Sequence, residues 1–166
     1  MSVITPFGAL HTVISLIAVA AGCVALFRYK KISVATQTGR TYFWFTVATA
    51  ATGLFIYHKG GFGIPHVLAI VTLAVLVAAH AAERKRSFGR LSSYVAEIGF
   101  SLTLFFHMIP GFTETATRLP ADAPLATGPE DPALQAAVGG AFIVFLIVAT
   151  LQVLRLRAAR LPALSA

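Results

Sequence analysis

Charge is scarce in this chain: of its 166 residues only 11% are charged, against 57% that are hydrophobic. A water-soluble domain carries about 25% charged residues, so much of this surface needs a bilayer as its solvent. There is a single cysteine, Cys23, inside an apolar run. That excludes a disulfide framework and a cysteine-based zinc motif, and Cys23 reads as packing. The opening MSVITPFG lacks the basic stretch and the small-residue cleavage site of a secretory signal. The first apolar segment is therefore expected to stay as a helix. Internal repeats, low-complexity tracts and a second domain are also missing.

The chain does have long hydrophobic runs. Crossing ~30 Å of hydrocarbon takes about 20 mostly apolar residues in a helix. Five segments qualify, at roughly 7–27, 41–58, 64–82, 92–109 and 135–154. The expected fold class is an all-α integral membrane protein, one bundle of five transmembrane helices in a single domain over residues 1–166.

The charge of +7 raises the question of nucleic acid, but the basic residues lie in short runs between apolar segments, so no such partner is expected. Arg28, Lys30, Lys31 and Arg40 fall between the first two segments; Arg84, Lys85, Arg86 and Arg90 between the third and fourth. Arg155, Arg157 and Arg160 follow the fifth, leaving Lys59 and Arg118 alone on the other side. The positive-inside rule then predicts an outer N-terminus and a cytoplasmic C-terminus in a bacterial cytoplasmic membrane.

Two outer connections follow. The glycine-rich HKGGFGIP (58–65) is short, so its flanking spans are antiparallel neighbours. The segment from Pro110 to Leu134 reads as a long outer loop, begun by a helix break at Pro110–Gly111 and containing Pro120, Pro124, Pro129 and Pro132.

Histidines recur at one depth. At ~1.5 Å per residue, His11, His58, His66 and His107 fall within roughly 6 Å of one another beneath the outer surface, one on each of four helices. Bundles build cofactor and metal sites from facing helices in this way, and ionisable residues inside spans count as functional candidates. A histidine at an interface is also a common amphipathic residue, His58 most of all.

Two further residues are costly at their depth. His80 lies almost four turns after His66 on the same span, ~21 Å inward. Such spacing suits stacked haems, yet the inner level offers no second ligand, so one haem is the simpler expectation. Glu97 sits in the inner half of the fourth span, at the depth of His80, and the two are candidates for a polar pair or a proton relay.

The runs ALHTVISLIAVAAGCVAL, KISVATQTGRTYF and GGFGIPHVLAIVTLAVLVAAHAAERKR together resemble an uncharacterised family of small bacterial multi-span membrane proteins, catalogued as a domain of unknown function. The resemblance covers roughly residues 8–90. It implies the topology and the early histidine, His11, and carries no activity. That family often has His-Arg where this chain reads Thr36-Gln37. A looser similarity to small b-type cytochromes rests on histidine placement.

Three functional expectations follow. The first is a membrane redox protein binding haem b between two of His11, His66 and His107. Arg118 or Lys59 would pair the propionates, and electrons would pass to a quinone or an outer-side redox partner. The second is a non-haem metal enzyme or metal-handling protein. It would hold a transition metal ion (zinc, copper or iron) on His11, His58, His66 and His107 with Glu114. The third is a non-catalytic subunit in contact with lipid and partner helices. Substrate and oligomeric state are left open.

Overall fold

The computed structural model describes residues 5–56, 61–120 and 122–160. These are helical with no strand among them. Five α-helices follow one another: α1 (Pro6–Tyr29), α2 (Gln37–Gly53), α3 (Ile64–Lys85), α4 (Ser92–Arg118) and α5 (Pro132–Ala158), with a 3-10 turn at Gly89–Leu91 before α4. Four stretches are long and apolar enough to cross a membrane: α1, α3, the turn with α4, and α5.

The helix starts are written in the sequence. Thr5 accepts the Gly8 N–H at 3.1 Å and Pro6 pre-sets the first turn of α1. Thr36 caps α2 through the Gly39 N–H at 3.0 Å, and Asp131 caps α5 through the Ala133 N–H at 3.0 Å. At the start of α3 the cap is reversed, with the Gly63 N–H donating to His66 Nδ1 at 3.1 Å. Helix α1 stops where Lys30 turns left-handed at φ 60° and returns its N–H to Leu26 O at 2.9 Å.

Packing pairs α1 with α2, α2 with α3, α3 with α4 and α4 with α5, and α1 also touches α4. Small residues make the closest seams, as expected where helices associate without a hydrophobic drive. Ala18, Ala21, Gly22 and Ala25 are the buried face of α1. A Cβ on Gly22 would stand 2.8 Å from the Tyr42 ring and 2.9 Å from Leu104. Tyr42, Leu76, Ala79 and Phe100, from α2, α3 and α4, are fully buried in the same core. Facing outward are large apolar side chains, among them Leu16, Phe27, Val77, Ile143 and Leu151. In water such a surface would be an aggregation liability; against acyl chains it is the ordinary exterior.

Two segment boundaries differ from the sequence reading. Helix α2 runs over Gln37–Gly53, 17 residues and ~26 Å, so it starts earlier and ends earlier than expected. Helix α4 passes through Pro110 and Gly111 and ends at Arg118, so the connection to α5 is 119–131 and not 110–134. Proline removes one backbone donor, but inside a bilayer helix there is no water to compete for the neighbouring carbonyls. The Thr113 hydroxyl bonds Ile109 O at 2.9 Å, adding a side-chain bond beside the break. His58 and Lys59 lie outside the described residues.

Candidate functional site

His107, in the second half of α4, is a buried ionisable group with 5% of its surface exposed. Its Nε2 lies 3.1 Å from the hydroxyl of Thr46 on α2, and its Nδ1 lies 3.3 Å from the hydroxyl of Ser15 on α1. Three helices therefore meet at one imidazole. Tyr42 adds a ring edge, with centroids 6.3 Å apart at 67°.

His11 stands one helical turn before Ser15, on the same face of α1, so its ring lies about 6 Å further out than that hydroxyl. Its Nδ1 is 2.8 Å from the Thr52 hydroxyl on α2. The ring packs against Gly53, where a Cβ would stand 3.4 Å from His11 Cε1, an ordinary contact distance. His107 and Glu114 are both within electrostatic reach of His11.

The bonds fix the tautomer of one ring. The Thr52 hydroxyl also lies 2.7 Å from Ala48 O, an acceptor that takes its single proton. Toward His11 it must therefore accept, so the neutral ring carries its proton on Nδ1 and a lone pair on Nε2.

A second group of hydroxyls lies around His107. Thr103 lies 2.9 Å from Phe100 O and donates there; the Tyr42 hydroxyl donates to the same oxygen at 3.3 Å and lies 2.7 Å from the Thr103 hydroxyl. His107 has a hydroxyl at each ring nitrogen, Thr46 at Nε2 and Ser15 at Nδ1, and either tautomer satisfies both. Each of the two imidazoles thus holds one nitrogen against a threonine of α2 and presents its other nitrogen elsewhere. Metal-ligating histidines are held in this way.

The remaining candidates fall elsewhere. His66 is buried at the start of α3, stacked on Phe62 at 5.2 Å, and its Nδ1 accepts the Gly63 N–H. A neutral His66 then carries its proton on Nε2, the tautomer of a donor. His80 packs on Phe43 with centroids 4.7 Å apart. Glu97 is not paired with His80. It bonds Arg155 of α5 and lies 3.8 Å from Lys31, so the carboxylate faces α5 and the connection between α1 and α2. Glu114 and Arg118 continue α4 beyond His107 and pair with each other at 2.5 Å, so no loop folds back to carry them. Among the described residues no three His, Cys, Asp or Glu side chains converge closely enough to hold a metal by themselves.

Sequence reasoning missed Ser15, Thr46, Thr52 and Tyr42. One signal was present: Ser15 follows His11 by one turn, and α2 is the helix richest in hydroxyls. Comparison with protein-family models, with curated proteins and with solved structures gives no match.

Proposed function

We propose that this chain is a five-span protein of the bacterial cytoplasmic membrane, N-terminus outside, that binds a transition-metal centre beneath its outer surface through His11 Nε2 and His107 Nδ1. The observation that carries this reading is the matched anchoring of the two rings, His11 by Thr52 and His107 by Thr46, each through one nitrogen, so that the other nitrogen of each can serve as a ligand. The bond to be replaced is the one from Ser15 to His107, at 3.3 Å the longer of that ring's two contacts.

Two imidazoles are the whole protein contribution to a haem iron, and half that of a four-coordinate zinc, copper or iron ion. The shared chemistry is imidazole ligation. A haem b would make the protein an electron carrier between quinone and an outer-side acceptor. A bare ion would leave positions for water, with Glu114 the nearest carboxylate. Purified protein from cells supplied with haem precursors and trace metals separates the two: a Soret band marks the first, and metal content without that band marks the second.

A second reading rests on the hydrogen-bonded chain Ser15–His107–Thr46, with a hydroxyl at each nitrogen of the imidazole. Hydroxyls and an imidazole linked donor to acceptor can pass a proton by reversing each bond in turn. In that case the site serves proton transfer in the outer half of the bundle with no metal. Vesicles holding the protein and a pH-sensitive dye would then show proton uptake that His107→Phe abolishes.

A further inference from the structure

At the opposite end of the bundle, the loop after α1, the last turn of α3 and the first turn of α4 enclose a pocket of about 270 Å³. Its polar lining includes Lys31, Ser33, Glu83, Arg86, Ser93 and Glu97. The acceptors among these are already used. Both oxygens of Glu83 are taken, one by the Ser33 hydroxyl and the other by the Val34 N–H at 3.1 Å. Both oxygens of Glu97 are taken by Arg155 and Lys31.

The donors are left over. Arg86 has neither an ion pair nor a side-chain hydrogen bond among the described residues, and the Ser93 hydroxyl has no partner there. Lys31 makes one contact at 3.8 Å and is 46% exposed. A pocket whose carboxylates are satisfied, whose guanidinium and one hydroxyl are spare, and whose half-exposed ammonium has donors beyond its one ion pair suits an acceptor-rich anion. It also lies at the end where the basic residues collect, the level at which anionic headgroups meet a membrane protein.

We infer that this pocket binds a phosphate group, with Arg86 as its principal contact and Lys31 and Ser93 beside it. The inference does not depend on the metal reading, since no residue is shared. The phosphate belongs either to the headgroup of an anionic lipid or to a soluble phosphate compound.

The test uses the full chain in detergent micelles and follows its melting temperature. Dioctanoyl phosphatidylglycerol, inorganic phosphate and phosphate-free dioctanoylglycerol are titrated separately. Phosphatidylglycerol should stabilise the protein and dioctanoylglycerol should not. Arg86→Gln should raise the half-saturating concentration about tenfold, and Ser93→Ala should raise it less. Arg84→Gln, which removes a charge of the same helix end outside the pocket, should leave it within about twofold. Stabilisation by inorganic phosphate to the same plateau would assign the site to a soluble compound; a response to the lipid alone would assign it to a headgroup. Equal responses to phosphatidylglycerol and dioctanoylglycerol, or an unchanged titration in both Arg86→Gln and Ser93→Ala, would overturn the inference.

Discussion

Arg155, near the end of α5, donates to the carboxylate of Glu97 on α4, and through that bond the C-terminal end of the last helix is fastened to the bundle. Helix α5 packs on α4 alone among the other helices, and a second polar contact lies one turn deeper, where Gln152 donates to Ser101 Oγ at 2.9 Å. The costly carboxylate of the fourth span is thus a fastening between helices.

Removing one side of that pair should cost more than removing both. Arg155→Met leaves a buried carboxylate with only Lys31 nearby, at a cost of about 2 kcal/mol. Glu97→Leu combined with Arg155→Met should recover most of it. A double-mutant cycle in chemical denaturation of the micellar protein measures the coupling. Additive losses would mean that the pair contributes nothing to holding α5.

Glycine positions give a graded series. A Cβ on Gly39 would fall 1.9 Å from the backbone oxygen of Ser33, so Gly39→Ala should disrupt the turn into α2. At Gly22 the collision is with side chains, at 2.8 Å from Tyr42, and alanine should cost about 1–3 kcal/mol. Gly139 and Gly140 meet nothing within 4 Å, and alanine there should be neutral or stabilising. Melting temperatures in the order Gly140→Ala, Gly22→Ala, Gly39→Ala, highest first, are expected.

Topology is tested by reporters. One fused after the C-terminus should behave as cytoplasmic, and one inserted after Pro129 should behave as external, because only Arg118 of the described basic residues lies at that end. Both reporters on one side would end the five-span reading.

Much of the scaffold was legible because hydrophobic length and basic runs act over whole segments. The four long helices follow from that alone. Pro110 misled because its effect depends on solvent: in water it ends a helix, whereas in a bundle α4 carries on to Arg118. The partner of Glu97 was hidden because Arg155 reads equally well as a topology charge, and only the packing of α5 on α4 brings it within reach. Depth grouped His11, His58, His66 and His107; in the structure Ser15, one turn from His11, bonds His107. Helix rotation, which depth does not contain, decided that His66 would cap α3 and that hydroxyls of α1 and α2 would hold the other two rings. Threonines in apolar helices usually bond their own backbone, as Thr49 does to Phe45 O at 2.8 Å, so Thr46 and Thr52 did not stand out.

The threonines are separable from the ligands. Thr52→Val removes the acceptor that sets the His11 tautomer and should weaken metal or haem retention about 10–100-fold without changing the fold. Thr46→Val should do the same for His107. Thr52→Ser should retain the cofactor, and its loss there would show that the methyl group, not the hydroxyl, matters.

The most direct measurement is the amount of haem and of zinc, copper and iron bound per protein, for the wild type and for single histidine variants, purified from cells supplied with all of them. Stoichiometric haem or metal in the wild type, lost in His11→Ala and in His107→Ala but retained in His80→Ala, is the predicted result. Wild-type protein free of every one of them, or undiminished binding in both His11→Ala and His107→Ala, would contradict the proposed site.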